Sequence, residues 1–283
     1  MPTIDQALGR MVRELKEVFD DQQAAREARL LISYALEIPH LEVRLHGEKP
    51  LAPETWETLR EGVRRLKGGE PLQYITGSQM FCGLRIAARP GVLIPRPETE
   101  ELAMLALRRL GDYEFPRALD LCTGSGAIAC VLASRKPDAI VDACDISKEA
   151  LEAAKDNARR LGLSERICFF QGDLFEAVRG RRYHVIVSNP PYVARDQWEK
   201  LEDNVRLYEP KIALTDGGDG LGFYRRIAEE APRHLEEGGT LLLEMGHDQA
   251  DAVAALLQAR FKHVRIHLDM QGVRRMAQAR IVI

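Results

Sequence analysis

The stretch from Val185 to Tyr192 constrains the fold of this chain more than any other, because an apolar run ends there on an amide and two prolines. Its first part, Val-Ile-Val, is β-branched and too short for a helix, which is typical of a parallel strand buried on both faces. Pro190 and Pro191 end the strand, since proline donates no ladder hydrogen bond, and each holds the preceding residue in extended geometry. The stretch therefore predicts a buried strand that delivers a stiff turn at Asn189.

This turn carries a specific set of hydrogen-bonding groups. Asn189 offers its side-chain oxygen and Pro190 its carbonyl as acceptors, and the aromatic ring of Tyr192 follows. A planar –NH2 group fits such a set, with its two hydrogens on the two acceptors and its flat face against the ring. We interpret Asn189, Pro190 and Tyr192 as catalytic residues, and these three together with Pro191 as the substrate-binding turn. The plain alternative is a strand that merely ends in a proline-rich loop.

Strands and helices alternate from Arg117 onward, which predicts an α/β fold with a doubly wound, mostly parallel, Rossmann-like sheet. The predicted strands are residues 118–121, 140–144, 167–170, 185–188 and 240–244. Two further strand-like runs, residues 263–268 and 276–283, are predicted to pair as an antiparallel edge.

The chain before this sheet has a different pattern. Residues 1–70 show helical periodicity and predict a small helical domain. Residues 71–97 contain short β-like pieces broken by glycine and proline and predict a hairpin linker. Residues 98–283 are predicted to form the main domain. Thr99 lies at the start of its first helix and is interpreted as a helix cap.

The composition indicates an ordinary globular protein. The net charge of −3 gives no general attraction for a polyanion, so we expect no stable binding to nucleic acid. Five cysteines without a Cys-x-x-Cys pair argue against a disulfide framework and against a zinc site. Those at 122, 130, 144 and 168 lie in apolar runs and are predicted to be buried. No signal peptide or membrane-spanning run is visible, so we expect a cytoplasmic protein. We also expect a monomer and no metal.

The strand ends predict an adenosine-containing cofactor. In a doubly wound sheet, ligands bind at the carboxyl ends of the strands, where the strand order reverses. Glycines at 124 and 126 let the backbone approach a ligand, Asp145 suits a ribose, and Asp173 can reach an adenine amine. NAD fits this pattern almost equally well, with Ala129 at its third small position. The amide-binding turn at Asn189 favours a methyl donor instead.

Several motifs carry a resemblance to a known family. The runs Asp120-Leu-Cys-Thr-Gly-Ser-Gly-Ala-Ile-Ala129 and Asn189-Pro-Pro-Tyr192 resemble class I S-adenosylmethionine-dependent methyltransferases that act on planar amino groups. With Ile94-Pro-Arg-Pro-Glu-Thr-Glu100, Glu209-Pro210, Asp216-Gly-Gly-Asp-Gly-Leu221 and the helical N-terminal region, nearly the whole chain resembles the protein-(glutamine-N5) methyltransferases called PrmC or HemK. One departure is Cys122, where the family usually has glycine.

The resemblance implies a reaction and a partner. The reaction is methylation of the glutamine in the Gly-Gly-Gln motif of class 1 peptide-chain release factors, with S-adenosyl-L-methionine as donor and S-adenosyl-L-homocysteine as product. Residues 1–70 would then recognise the protein substrate. The implied cofactor-binding residues are Asp120, Thr123, Gly124, Ser125, Gly126, Ala127, Asp145, Asp173, Leu174 and Asn189.

Three other functions stay open on the sequence. The first is an adenine-N6 methyltransferase acting on DNA or RNA, because its substrate offers the same planar –NH2 group. The slightly acidic N-terminal region and the lack of a large target-recognition domain disfavour it. A nicotinamide-dependent dehydrogenase would use the same strand ends. A methyltransferase-like binding module without activity would keep the fold but not need the intact turn.

Overall fold

The computed structural model describes residues 1–281 and divides the chain into two units. The first comprises residues 1–78 and 203–208, and the second comprises residues 79–202 and 209 to the end. The helices are α1 (Ile4–Leu15), α2 (Asp21–Leu36), α3 (Pro53–Lys67), α4 (Leu72–Thr76), α5 (Pro97–Leu110), α6 (Ala127–Arg135), α7 (Lys148–Arg160), α8 (Asp203–Tyr208), α9 (Gly222–His234) and α10 (Ala250–Gln258). The strands are β1 (Ser78–Phe81), β2 (Leu84–Ala87), β3 (Arg117–Leu121), β4 (Ile140–Asp145), β5 (Ile167–Gln171), β6 (Tyr183–Ser188), β7 (Leu235–Glu244), β8 (His263–Leu268) and β9 (Arg274–Arg280).

The first unit is helical and begins each long helix with a recognisable signal. Thr3 and Gln6 form a reciprocal capping box on α1, Asp20 caps α2 through two backbone N–H groups, and Pro53 occupies the first turn of α3. The helices bury one shared apolar core, which includes Met11 and Leu59. The short helix α4 was not predicted, since only five residues separate its start from the glycine that ends it.

The segment before the sheet pairs β1 with β2 as a two-stranded sheet and then enters α5. Arg96 takes the N-cap position of this helix, and Pro97 starts its first turn. The interpretation of Thr99 as a cap is therefore wrong. Its side chain is buried inside the first turn, and its hydroxyl makes a tertiary hydrogen bond instead.

The second unit contains a seven-stranded sheet in the order β5-β4-β3-β6-β7-β9-β8. The strands from β5 to β7 are parallel, and β9 pairs antiparallel with both β7 and β8. This confirms the predicted fold class and the antiparallel pair at its end. The edge strand is β8, whereas β9 lies inside the sheet. The predicted last strand extended to residue 283, and its final two residues lie outside the described part of the chain.

Alternate residues of the central strands cover the two faces of this sheet. Val185 and Val187 point into a core shared with α5, α6 and α7, whereas Ile186 points into a core shared with α9 and α10. Both faces of β6 are therefore buried, as its continuous apolar run predicts. The strand order reverses between β3 and β6, which creates a crevice at their carboxyl ends.

The cysteine prediction holds for three of its four residues at least in part. Cys130 and Cys144 are buried and Cys122 is half-buried, but Cys168 is exposed. Cys168 lies on β5, the other edge of the sheet, where one face of the strand is open to solvent. A short apolar run does not distinguish an edge strand from a central one, which explains this error.

Candidate active site

The glycine-rich turn after β3 adopts left-handed backbone geometry at three positions. Cys122, Gly124 and Gly126 have φ angles of 61°, 54° and 76°. This conformation suits glycine, and it costs a residue with a Cβ roughly 1–2 kcal/mol. Cys122, which stands where the family usually has glycine, therefore carries backbone strain. A Cβ added to Gly124 would meet no atom within 4 Å, whereas one at Gly126 would lie 2.8 Å from the Ala154 Cβ. The first glycine leaves space, and the second permits close packing of α7.

Asp120 holds this turn from beneath. Its Oδ2 atom accepts hydrogen bonds from the Thr123 hydroxyl at 2.6 Å and from the Ala129 N–H at 3.0 Å. Burial raises the pKa of Asp120 to about 7, although the same two hydrogen bonds oppose the shift. Among the described residues its Oδ1 atom has no hydrogen-bond partner. Asp120 and Thr123 therefore hold the shape of the turn, and their contact with the cofactor stays a prediction.

Asp145, at the end of β4, connects the neighbouring turns. Its Oδ2 atom accepts from the Gly124 N–H at 2.8 Å, and its Oδ1 atom accepts from the Ser147 N–H at 2.9 Å. Burial raises the pKa of Asp145, while these backbone donors lower it. Each carboxylate oxygen can accept a second hydrogen bond, so both stay available to the two hydroxyls of a ribose.

Asp173 and Leu174 follow β5. The Asp173 carboxylate forms an ion pair with Arg226 at 2.8 Å, a partner that the sequence did not indicate. Leu174 has a φ angle of 50°, a strained conformation for a residue with a side chain, and it is buried. The second oxygen of Asp173 is free of this ion pair and can still accept from an amine.

One cavity at the carboxyl edge of the sheet collects many of these residues. Of the predicted cofactor set, the structure brings together Gly124, Asp145, Asp173, Leu174 and Asn189 in its lining, together with Pro191 of the predicted turn. Thr123, Ser125, Gly126, Ala127 and Asp120 are not in the lining. Apolar residues that the sequence did not indicate also line the cavity, among them Val92, Ile146, Ile212 and Phe223.

The predicted turn lies beside this cavity, with its central amide held by a hydrogen bond. The Asn189 Nδ2 atom donates to the Thr99 hydroxyl at 3.1 Å, and the Thr99 hydroxyl donates to Glu244 Oε2 at 2.6 Å. Because the nitrogen end of the amide faces Thr99, the Oδ1 atom lies at the opposite end. Pro190 is buried and Tyr192 is half-buried. Burial is the main cause that raises the pKa of the Tyr192 phenol, which stays neutral.

The later motifs support the backbone around this turn. Gln249 Nε2 donates to the Tyr192 carbonyl at 2.9 Å. Asp216 accepts from the Gly218, Gly220 and Gly222 N–H groups, which fixes the loop beside it. A Cβ on Gly220 would approach the Tyr192 carbonyl oxygen to 2.4 Å. The run from Asp216 to Leu221 therefore serves to pack closely under the turn.

Glu209 fixes the approach to α5. It is buried, and its carboxylate accepts from the Ile94 N–H at 3.2 Å and pairs with Arg96. The stiff run before α5 is thereby tied to the Glu209-Pro210 motif, and Thr99 is held at a defined place. The sequence analysis identified both runs as motifs but did not predict their contact, because their residues are more than a hundred positions apart.

Comparisons with known proteins identify the family. Residues 6–77 match the PrmC N-terminal domain, and residues 85–220 match the methyltransferase small domain. The chain is 41% identical over 260 residues to the release factor glutamine methyltransferase of Cereibacter sphaeroides, covering 92% of each chain. It is 42% identical over 266 residues to that of Bordetella pertussis, covering 93% of this chain and 97% of the relative. The chain belongs to the release factor glutamine methyltransferase family. It is an enzyme, and its methyl donor is S-adenosylmethionine.

A solved structure supports the fold alone. The crystal structure of a methyltransferase from Pyrococcus furiosus superposes with a TM-score of 0.53 at 20% identity, covering 71% of this chain and 91% of that one. The class I methyltransferase fold that the sequence motifs implied is thus confirmed. No helix among the described residues has both the length and the apolar character that crossing a membrane requires.

The cavity fits the cofactor of this family. The open space beside Gly124 is where a side chain would otherwise intrude, and the two oxygens of Asp145 keep acceptor capacity for ribose hydroxyls. The apolar wall suits the flat face of an adenine. Within residues 1–281, no three His, Cys, Asp or Glu side chains are grouped so that they could hold a metal ion.

Proposed function

We propose that this enzyme methylates the side-chain amide nitrogen, N5, of the glutamine in the Gly-Gly-Gln motif of class 1 peptide-chain release factors. The observation that carries the proposal is the oriented amide of Asn189 at the edge of the cofactor cavity, because it presents an acceptor suited to a second amide. The names of the relatives support the choice of glutamine and of a release factor.

The substrate amide is a poor nucleophile, since its nitrogen lone pair is delocalised into the carbonyl. Asn189 Oδ1 and the Pro190 carbonyl would accept its two N–H groups, which turns the remaining lobe of the nitrogen toward the methyl donor. The same two acceptors stabilise the positive charge that develops on the nitrogen during attack, a form of electrostatic preorganisation. The ring of Tyr192 supports the flat face of the amide. The released proton passes to water.

The remaining site residues bind the cofactor and align it with the substrate amide. When bound, S-adenosylmethionine supplies a methyl group already activated by the sulfonium charge. Asp145 and the backbone at Gly124 would hold its ribose side, Asp173 its adenine amine, and Asn189 lies between cofactor and substrate. Fixing two reactants in line supplies on the order of 7–11 kcal/mol at best, so alignment is the main task of these residues.

The helical N-terminal domain, residues 1–70, is proposed to recognise the protein substrate, with residues 71–97 as linker and residues 98–283 as the methyltransferase domain. The cavity residues all belong to the second unit, which leaves the helical unit free for another partner. Its surface exposes Leu41 and Leu45, two apolar side chains four positions apart. We also propose that the enzyme acts as a monomer in the cytoplasm, where release factors work.

Transfer of a tritiated methyl group tests this function. The acceptors are a release factor and its variant with glutamine of the Gly-Gly-Gln motif changed to alanine, run beside duplex DNA and ribosomal RNA. We expect label in the unmodified release factor alone. Label in nucleic acid but not in the release factor would replace this function with adenine-N6 methylation.

A further inference from the structure

Three side chains from distant parts of the sequence form one hydrogen-bonded line behind the active site. Asn189, after β6, donates to Thr99 in α5, and Thr99 donates to Glu244 at the end of β7. Thr99 is 5% exposed and Glu244 is 2% exposed, so water does not compete for these bonds. Neither Thr99 nor Glu244 lines the cavity. Both therefore act on Asn189 and not on a ligand.

The direction of the line decides which end of the Asn189 amide faces the substrate. A hydroxyl has one hydrogen, and an ionised carboxylate can only accept, so Thr99 must give its hydrogen to Glu244. Thr99 is then only an acceptor toward Asn189. The –NH2 end of the Asn189 amide therefore donates to the Thr99 oxygen, and the Oδ1 atom points away from Thr99.

We propose that Thr99 and Glu244 are positioning residues that hold the Asn189 amide with its oxygen toward the substrate, and that only the ionised form of Glu244 does so. The proposal rests on the function proposed above and specifies how its central residue is oriented. It adds no covalent step to the reaction.

Protonation of Glu244 reverses the line. The Glu244 carboxylate takes a proton from solvent, and the neutral carboxyl that results can donate this proton to the Thr99 oxygen. The Thr99 hydrogen is then free to point at Asn189, where its best acceptor is Oδ1. The Asn189 amide then rotates by half a turn, so that its –NH2 group faces the –NH2 group of the substrate glutamine. Two hydrogen-bond donors then face each other, and no hydrogen bond can form between them. Methyl transfer is lost, while the cofactor cavity keeps its shape.

The surroundings of Glu244 put this switch near neutral pH. Burial raises the pKa of Glu244 to about 7, more than the Thr99 hydrogen bond lowers it. The charged and titratable groups that face it from the neighbouring elements are Glu98, Arg96, Arg275, Tyr192 and Tyr224. Glu98 raises the pKa of Glu244 and the two arginines lower it, while both tyrosines stay neutral. Activity should therefore rise with pH through about 7.

Substitutions at Thr99 test the geometry. Thr99→Val keeps the shape but removes the hydroxyl, and we expect kcat to fall about 10²-fold, as for loss of one preorganised group. The KM for the release factor and the affinity for S-adenosylhomocysteine should stay close to wild type. Thr99→Ser restores the hydroxyl and should restore most of kcat. Wild-type kcat in Thr99→Val would refute the proposal.

A matched control separates orientation from general loss of buried hydrogen bonds. Tyr224 donates to the main-chain carbonyl of Glu244 at 2.9 Å, so Tyr224→Phe removes a buried hydrogen bond at the same residue without touching the line. This variant should lose stability but keep kcat. Glu244→Gln has no titrating proton, and its pH profile should lack the rise near neutrality. A rise that persists unchanged in Glu244→Gln would overturn the role of Glu244.

Side-chain amide signals give a readout that needs no substrate. In ¹⁵N NMR of the complete protein with S-adenosylhomocysteine, the Asn189 –NH2 resonances should shift with pH around 7, and should not titrate in Glu244→Gln. If the wild-type enzyme methylates no release factor but this titration is present, the proposed function is refuted and the orientation of Asn189 by Thr99 and Glu244 is supported. If a release factor is methylated and the resonances do not titrate, the role of Glu244 is refuted and the proposed function is supported.

Discussion

The Gly124 backbone N–H donates to Asp145 Oδ2 over 2.8 Å, and this bond joins the turn after β3 to the end of β4. The same carboxylate accepts from the Ser147 N–H through its other oxygen. Asp145 therefore shapes the cavity edge and also offers lone pairs to a ligand there. Loss of the Asp145 side chain should therefore mainly weaken cofactor binding.

We expect Asp145→Ala to weaken binding of S-adenosylhomocysteine by roughly 1.5–3 kcal/mol, the value of hydrogen bonds to a charged group. Isothermal titration calorimetry measures this directly. Glu149→Gln is the control, because it removes an exposed carboxylate from the first turn of α7 and should leave the affinity unchanged. Equal affinity in Asp145→Ala and wild type would remove Asp145 from the cofactor site.

Two glycines of one turn should respond differently to the same methyl group. Gly124→Ala places a Cβ in open space at the cavity, so it should weaken cofactor binding while costing about 1–2 kcal/mol of stability from its positive φ angle. Gly126→Ala adds a clash with the Ala154 Cβ at 2.8 Å to a similar strain. It should destabilise the fold further. Urea unfolding and calorimetry with S-adenosylhomocysteine on both variants compare the two effects, and the reverse order of stability would contradict this assignment.

An exposed apolar residue of the helical unit tests substrate recognition. The Leu45 side chain is 79% exposed, beside the buried Val43, so Leu45→Glu should fold normally. We expect the KM for a release factor to rise about tenfold, which corresponds to about 1.4 kcal/mol of binding energy. Affinity for S-adenosylhomocysteine should not change. The control is Leu268→Glu, an exposed leucine on β8 of the second unit, and an equal rise in KM there would argue against recognition by residues 1–70.

The sequence was sufficient for the strands and for the residues at their ends, because a continuous apolar run and a following Asn-Pro-Pro-Tyr are local signals. It did not indicate the partners of those residues. Thr99 lies 90 positions before Asn189 and 145 before Glu244, and no local pattern encodes such a contact. Arg226 and Asp173 meet for the same reason. Local chemistry thus predicted part of the candidate site, whereas the apolar residues of the cavity and the orientation of Asn189 required the tertiary structure.

Buried carboxyl groups give this protein a defined dependence of stability on pH. Burial raises the folded-state pKa of Asp120 from 3.8 and that of Glu244 from 4.5, each to about 7. The folded state then holds these protons to higher pH than the unfolded state does. Their contribution to stability is fully present below about pH 4 and is lost as pH rises through about 7.

The free energy of unfolding in urea, measured from pH 5 to 8, should therefore fall with pH through these two groups. His267 opposes them, since burial lowers its pKa below 6.5 and stability gained from its neutral form grows with pH. The slope should become flatter in Asp120→Asn and in Glu244→Gln, and steeper in His267→Gln. If the free energy of unfolding depends on pH in the same way in Asp120→Asn and in wild type, the pKa of Asp120 is not raised by folding.

Asn189 is the residue on which the proposed chemistry depends most directly. Asn189→Ala removes one of two acceptors for the substrate amide, and the cavity loses only one of its lining residues. We expect kcat to fall on the order of 10²–10³-fold, as when one preorganised hydrogen-bonding group is removed from an active site. Binding of S-adenosylhomocysteine should change much less. Single-turnover methylation of a release factor, with calorimetry on the same samples, separates the two effects.

Asn189→Asp refines this test, because it keeps an acceptor oxygen but loses the donor to Thr99. Thr99 would then lie between two carboxyl groups, the introduced one and that of Glu244, and could donate to only one of them. Two such groups cannot both ionise freely, so one should hold a proton at neutral pH. We expect Asn189→Asp to retain more kcat than Asn189→Ala and to lose the wild-type pH profile. Activity of Asn189→Asp equal to that of Asn189→Ala at every pH would mean that the acceptor oxygen contributes nothing.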